Sequence, residues 1–435
     1  MRWRLGRRGP PYRQRTAAQA ARLRRLASQP TADELRRQAA RCRALLMRSV
    51  VDFYLPASLD VDHGGYLELA DDQGAFLPSA ERFLSLQARQ VWIFSTLAAA
   101  GVERERTLVA ARAGYEFLRR FRDATHGGYH SKIGVDGQPV DPRKEICLNG
   151  FALYGLTAYH RATGEAAPLD EAKDLFGVLE AHAYDRRHGG YRELFAPDWT
   201  PIEDDRVRGY WARGGTKTVN GHLHLLETLA ELYRAWPDSL VAQRLGELVV
   251  INTSAVKHPR LGANITSWSP DWRPLATARN RRASYGHDLE ATWLALDAAR
   301  TLGWPDNVLR GWAEQMGGYS LEHGFDARHG GFYWEGPLGR RADDRRKEWW
   351  VQAEALVAML ELYRLTADHG YYAVFEQTLD FIERHQVSAS GGWWSIVREN
   401  GAHDKRATLG SLYQDGYHSG RALLRSAELL DQLAG

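Results

Sequence analysis

One turn recurs along the chain and limits what the rest can fold into. His63-Gly64-Gly65-Tyr66, His126-Gly127-Gly128-Tyr129, His188-Gly189-Gly190-Tyr191, His329-Gly330-Gly331-Phe332 and Ser390-Gly391-Gly392-Trp393 are versions of it. Gly64 to Gly127 spans 63 residues, Gly127 to Gly189 spans 62, and Gly330 to Gly391 spans 61. The interval from Gly189 to Gly330 is 141 residues, about two periods, and in it Ser269-Pro270-Asp271-Trp272-Arg273-Pro274 echoes Ala196-Pro197-Asp198-Trp199-Thr200-Pro201. A degenerate unit therefore lies near Gly262, which makes six. Self-similarity at a fixed period is the mark of a repeat architecture.

Between the turns run helical patterns poor in Gly and Pro, such as 80–99, 108–121, 149–163, 172–183, 347–366 and 371–385. Each unit thus holds about two helices and a Gly-Gly hairpin whose flanking aromatic and β-branched residues read as short strands. Repeats that pack only on their neighbours either stack openly or close on themselves. One helix of each pair is apolar all round: 83–99, 149–163, 217–236, 284–299, 349–364 and 417–430. Such helices cannot face water, so the pattern predicts an all-α ring of six inner and six outer helices with short β-hairpins at one rim. The turn histidines read as capping and packing residues.

The polar residues of the inner helices are the functional signal. In 217–236 the apolar rows Leu225, Leu229, Leu232, Trp236 and Leu223, Leu226, Ala230, Tyr233 leave Asn220, His224 and Glu227 on one face at i, i+4 and i+7, while His222 points elsewhere. Buried polar groups cost free energy unless satisfied, so this face requires a wet or ligand-filled cavity, read as a sugar site. The other inner helices open on Gln87-Ala88-Arg89, Asn149-Gly150-Phe151, Gly286-His287-Asp288-Leu289-Glu290, Trp349-Trp350-Val351-Gln352-Ala353-Glu354 and Tyr417-His418-Ser419-Gly420-Arg421. His224, His287 and His418 thus fall at corresponding inner-helix starts, which points to a shared site.

Several chemistries fit this set poorly. His222 and His224 at i, i+2 diverge on a helix, no HExxH is present and no carboxylates cluster for a hard cation, so neither metal nor cofactor is expected. No GxSxG elbow exists for a serine nucleophile. Imidazoles that exchange protons near neutral pH remain, with Arg89 as the donor for an oxyanion.

Composition bounds the rest. With 44% hydrophobic residues, 435 residues can bury a large core, and 15 Trp and 19 Tyr serve mostly to pack it. Residues 1–30 hold nine arginines and no acid, so the body is weakly acidic, unlike a nucleic-acid binder. Residues 1–32 read as a disordered basic arm and 33–435 as a single catalytic domain. Two cysteines, Cys42 and Cys147, form no framework and suit a reducing cytoplasm, and no apolar run is long enough to span a membrane.

The motifs Lys-x-x-Asn-x-His-Leu-His-x-Leu-Glu at 217–227, Gly-His-Asp-Leu-Glu at 286–290, Trp-Trp-x-Gln-Ala-Glu at 349–354, Gln-Ala-Arg-x-x-Trp at 87–92 and Tyr-His-x-x-Arg at 417–421 resemble the N-acylglucosamine 2-epimerase superfamily. The Asn-x-His-Leu-His run and the Asp-Trp-x-Pro turn look most like its cellobiose 2-epimerase branch. The similarity spans roughly residues 35–430. It implies an (α/α)6 barrel and metal-free inversion at C2 of a reducing sugar through ring opening, an enediolate and reprotonation. By position, His287 and His418 resemble the acid/base pair, His224 the histidine of ring opening, and Arg89 the residue that binds the C1 and C2 oxygens. Asn220, Glu290, Trp350 and Glu354 match sugar-binding positions. Tyr413 stands where the cellobiose branch usually has a Trp that stacks on the second sugar, a change that favours a monosaccharide such as mannose or glucose.

Three other readings stay open. Protonation of the same enediolate at C1 gives a ketose, so a mannose-type aldose–ketose isomerase is the near alternative. An (α/α)6 glycoside hydrolase would draw two carboxylates from Glu227, Asp288, Glu290 and Glu354, and a non-catalytic sugar-binding ring shares the same architecture. The expected partner is a small reducing sugar, with no nucleic acid and no membrane, for a monomer or homodimer.

Overall fold

Twelve helices of 12 residues or more alternate between two concentric layers in a computed structural model that describes residues 28–435. Most of the expected basic arm, residues 1–27, lies outside the described residues. The inner helices are α2 (Leu84–Ala99), α4 (Ile146–Thr163), α6 (Val219–Ala235), α8 (Tyr285–Thr301), α10 (Trp349–Thr366) and α12 (Gly416–Ala434). The outer ones are α1 (Ala32–Leu46), α3 (Arg104–Leu118), α5 (Ala166–His182), α7 (Ser239–Val250), α9 (Asn307–Gly324) and α11 (His369–Phe381). Each inner helix packs on the next, and α12 packs on both α2 and α1. The ring is therefore closed, an (α/α)6 barrel in which the first and last helices meet. Inner helices are buried almost throughout, whereas α1, α3 and α11 present one buried face. Among the described residues no helix is long and apolar enough to cross a membrane, and Cys42 and Cys147 are buried, unpaired thiols.

Five inner helices start straight from a short strand, and that strand pairs antiparallel with the one that follows the next glycine turn. Lys217–Thr218 pairs with Ser267–Trp268, and Lys347–Glu348 with Ile396–Val397. The six turns are equivalent: bridges join Leu59 to Tyr66, Arg122 to Tyr129, Tyr184 to Tyr191, Lys257 to Asn264, Phe325 to Phe332 and Val387 to Trp393. The expected degenerate unit is the one at Lys257–Asn264.

An aspartate organises each of the four His-Gly-Gly turns. Asp326 Oδ1 accepts the backbone N–H groups of Arg328 (3.0 Å) and His329 (3.3 Å), and its Oδ2 faces His329 Nδ1 at 3.0 Å. Asp60, Asp123 and Asp185 do the same for their turns. The turn histidines are thus held by turn geometry, as expected. A fully buried cation two residues before the next inner helix neutralises each aspartate: Arg82, Lys144, Lys217 and Lys347. Lys347 Nζ donates to Asp326 (2.9 Å) and to the carbonyls of Gly330 (2.6 Å) and Glu399 (2.8 Å). Gly330 and Gly331 stand at positive φ, and a Cβ on Gly331 would press on Gln352 Oε1. In the degenerate unit His258 replaces the aspartate, its Nδ1 accepting the N–H groups of Arg260 and Leu261. Ala283 then stands where the cation would be.

A second clamp ties five of the six turns to the ring. The fourth residue of an inner helix holds the backbone of the turn's last residue: Gln87 holds Tyr66, Asn149 holds Tyr129, His222 holds Tyr191, Asp288 holds Asn264 and Gln352 holds Phe332. Gln87, Asn149 and Gln352 were grouped with the site from their place at helix starts, but their side chains are used up in the fold.

Lys347→Met leaves Asp326 charged, buried and unpaired. Urea unfolding should register a loss of roughly 3–5 kcal/mol, and Lys347→Met with Asp326→Asn a smaller one. Equal losses in the single and double variants would show that the pair is not what matters.

Candidate active site

Helical phase decides which side chains enter the lumen. The sixth residues of the inner helices are Arg89, Phe151, His224, Glu290, Glu354 and Arg421, one from each wall of the barrel. One turn nearer the rim lie Asn220 and Trp350, at second positions, and His287 and His418, at third positions. His287 and His418 are therefore equivalent, while His224 sits about one turn deeper. The expectation that all three histidines share one register is corrected to this. His222, pointing outward, is fully buried between Thr218 and Tyr191, as the sequence pattern implied.

Arg421 is the centre of charge. Its guanidinium donates to Glu290 (2.7 Å), to Glu354 (2.8 Å), to Glu227 and to the Tyr417 hydroxyl. Burial works against charge on Arg421, yet the surrounding carboxylates raise its pKa further. Burial also opposes ionisation of Glu354, but Arg421 and His418 hold it down to about 2. Glu227 is likewise lowered against its burial by Arg421 and His224. Burial and the charge of Glu354 push Glu290 well up. One cation therefore faces two carboxylates and one neutral carboxyl.

The ionised glutamates orient imidazoles. Glu354 Oε1 lies 2.6 Å from His418 Nδ1, and its Oε2 accepts the Trp293 indole N–H at 2.8 Å. Glu227 Oε1 lies 2.6 Å from His224 Nδ1. A carboxylate can only accept, so both Nδ1 atoms carry the proton and both Nε2 atoms present a lone pair. His287 has the other arrangement: its Nε2 faces Asn220 Oδ1 at 3.2 Å and its Nδ1 faces the Ser284 hydroxyl at 2.8 Å. Burial lowers the pKa of all three, to about 3 for His287 and His418, with Arg279 adding to the effect at His287. All three are neutral near pH 7. The Trp350 ring lies between the two rim histidines, 4.9 Å from His287 and 5.8 Å from His418, its indole N–H bound to Glu348 at 2.8 Å.

Arg89 completes the lumen. It is buried, stacks over Tyr417 (4.4 Å) and Phe151 (5.2 Å), and meets Asp415 at 3.2 Å. That contact joins Nε to Asp415 Oδ2 as an ion pair without hydrogen-bond geometry, and one terminal nitrogen of Arg89 has no acceptor. A buried guanidinium with an unpartnered terminal nitrogen marks a position for ligand oxygen atoms.

Above this lies an aromatic wall that sequence reasoning missed. Trp211 is 5.9 Å from both Phe151 and Tyr413, and Tyr210 packs on Phe83 at 4.5 Å. Tyr413 is 41% exposed at the rim, so it borders the lumen from outside. Trp211 and Tyr210 belong to a hairpin inserted between turn and helix, where no helical period could place them. The signal is Glu145, the residue before α4, whose carboxylate accepts the N–H groups of Tyr210, Trp211 (3.1 Å) and Ala212 (3.3 Å).

By spacing, His224 with Glu227 and Glu290, and Glu290 with Glu354 and His418, could each hold a metal ion. Arg421 already supplies the counter-charge to both groups.

The profile of the N-acylglucosamine 2-epimerase family matches residues 64–422. The cellobiose 2-epimerase of Bacteroides fragilis is 30% identical over 380 residues, covering 86% of this chain and 95% of that one. The D-mannose isomerase of Marinomonas mediterranea is 24% identical, over 80% of this chain and 87% of its own. The solved cellobiose 2-epimerase of Spirochaeta thermophila superposes with a TM-score of 0.82 at 30% identity, covering 92% of this chain and 98% of that chain. The chain belongs to the N-acylglucosamine 2-epimerase family, an isomerase family, and is most similar to its cellobiose 2-epimerases.

Proposed function

We propose that this enzyme is a metal-free sugar 2-epimerase that inverts C2 of a reducing aldose, cellobiose-type or gluco/manno-configured. The observation that carries it is the pair of neutral imidazoles at matched positions of α8 and α12, both against Trp350, above a buried Arg89 with an unpartnered terminal nitrogen. His224, with its free Nε2, moves the C1 hydroxyl proton toward the ring oxygen, which opens the sugar to its aldehyde. His418 takes the C2 proton on Nε2, and the electron pair passes to the C1 oxygen, giving an enediolate whose charge Arg89 balances. His287, neutral until the enediolate forms beside it, then takes up a proton from solvent and delivers it to the opposite face of C2, while His418 releases its proton to solvent. In the reverse direction the two roles exchange.

Asn220, Glu290, Trp350 and Glu354 act on the sugar or on the histidines that touch it, and Trp211 with Tyr413 offers a platform for a second ring. That platform supports a disaccharide despite the tyrosine at 413. The likeness to a D-mannose isomerase supports the second reading, delivery of the proton to C1 with formation of a ketose. A cytoplasmic enzyme fits the two buried, unpaired thiols.

In D2O, cellobiose or mannose should gain deuterium at C2, read by NMR. His418→Ala or His287→Ala should slow this by about 10²–10⁴-fold, the range for a general acid or base. Turnover that survives loss of both would defeat the reading. Label at C1 in place of C2 would favour the isomerase.

Arg89→Met should lower kcat by about 10²–10³-fold, the scale of one lost oxyanion donor, while the fold stays intact by circular dichroism. An unchanged kcat would remove Arg89 from the mechanism.

Stability should also depend on pH. His287 and His418 titrate near 3 when folded and near the ordinary 6.5 when unfolded. Their contribution is present above pH about 6.5 and is lost as pH falls toward 3, because only the unfolded chain takes up protons in that window. Each histidine adds on the order of 1 kcal/mol per pH unit to the slope there. Urea unfolding at several pH values should give a flatter slope for His287→Gln with His418→Gln; an unaltered slope would contradict neutral imidazoles.

A further inference from the structure

Beside His287 the rim holds a second concavity. It is a cleft of about 380 Å³ between the hairpin 208–213 and the segment 275–279, within the usual size of a small-molecule site. Its lining includes Arg208, Arg213 and Arg279, several threonines and no acidic residue. Arg279 is paired with Glu335, but among the described residues neither Arg208 nor Arg213 meets a carboxylate.

The hairpin is fixed in place. Glu145 accepts three of its backbone N–H groups, and Arg143 donates to the Arg208 carbonyl at 2.9 Å. Arg208 and Arg213 are direct cross-strand partners. Like charges facing each other across a strand pair are destabilising, and among the described residues no carboxylate pairs with either arginine. A bound anion would.

The cleft adjoins the reaction site. Thr218, which lines it, caps α6 two residues before Asn220, whose Oδ1 is 3.2 Å from His287 Nε2. Arg279 acts electrostatically on His287, and Trp211 is common to the cleft and the aromatic wall.

Resting on the epimerase reading, we propose that this cleft is a subsite for an anionic group, carboxylate or phosphate, on the second ring of a reducing disaccharide, and that acidic disaccharides are preferred over neutral ones.

In an alditol C1 is reduced to a primary alcohol, so no enediolate can form and binding is reported without turnover. Cellobiitol, the alditol of glucuronosyl-(1→4)-glucose and cellobiitol phosphorylated at C6 of its glucosyl ring would each be titrated into the full chain by calorimetry. At least one acidic alditol should bind about tenfold tighter than cellobiitol at low salt, the scale of one charge-assisted contact. The advantage should shrink as salt rises. Arg208→Ala with Arg213→Ala should bring the ratio of acidic to neutral affinity close to unity. The better acidic alditol tells whether the site takes carboxylate or phosphate. Equal affinities in the unaltered protein, or a preference that survives the double substitution, would overturn the subsite. Turnover of cellobiose, mannose and glucuronosyl-(1→4)-glucose measured in parallel tests the epimerase reading alone: tight acidic binding with turnover of none of the three would sink that reading and keep the subsite.

Discussion

The Arg421 guanidinium holds the lumen together. It is contributed by α12 and reaches carboxylates on α6, α8 and α10, so one side chain ties four of the six inner walls. Three buried glutamates around an empty space would repel and take up protons; around a guanidinium two of them stay ionised. Ionisation is what lets Glu227 and Glu354 accept Nδ1–H and thereby turn the lone pairs of His224 and His418 into the cavity. The same cation fixes the shape of the barrel interior and the tautomers of its histidines. Loss of Arg421 would disturb both together, which makes it a positioning residue and not a member of the proposed acid/base pair.

The sequence carried the fold because the fold is periodic. Glycine turns at a constant spacing, and helices apolar on every side, leave a closed ring as the natural arrangement, and the structure has it. The lumen-facing residues were legible for the same reason, since Asn220, His224 and Glu227 follow the helical period. Two things escaped that reasoning. Gln87, Asn149 and Gln352 lie two residues before Arg89, Phe151 and Glu354, close enough in sequence to look like site residues, yet that step of about 200° turns them outward to the hairpins. Arg421 was noted only within the Tyr-His-x-x-Arg motif that opens its helix, because its partners are up to 194 residues away and no local pattern joins them.

The clamp positions also bear on chemistry. A glycoside hydrolase needs two carboxyl groups free to act on one glycosidic bond, about 5–10 Å apart. Asp288 occupies the place that Gln87, Asn149 and Gln352 fill elsewhere; burial pushes its pKa well up, and it accepts the Asn264 N–H at 2.9 Å. It is a neutral acid standing in for an amide. Glu227 and Glu354 are committed to histidines, and Glu290 to Arg421. The barrel is compatible with hydrolysis, but its carboxyl groups are spent on orientation, and the unspent groups are imidazole nitrogens and the Arg89 guanidinium.

The same economy explains the irregular fourth turn. In the four His-Gly-Gly turns an aspartate and a buried cation come together, since either alone would be an unpaired charge in the core. Near Gly262 the aspartate position is His258, which holds the turn through Nδ1 without a negative charge, and the cation position is Ala283. Both charges are gone, and the backbone bridge between Lys257 and Asn264 persists. What the repeat preserves is the turn geometry and local neutrality, and residue identity follows from them. That is why a unit with neither His-Gly-Gly nor an aromatic at its end still delivers α8, and with it His287, to the lumen in register with its neighbours.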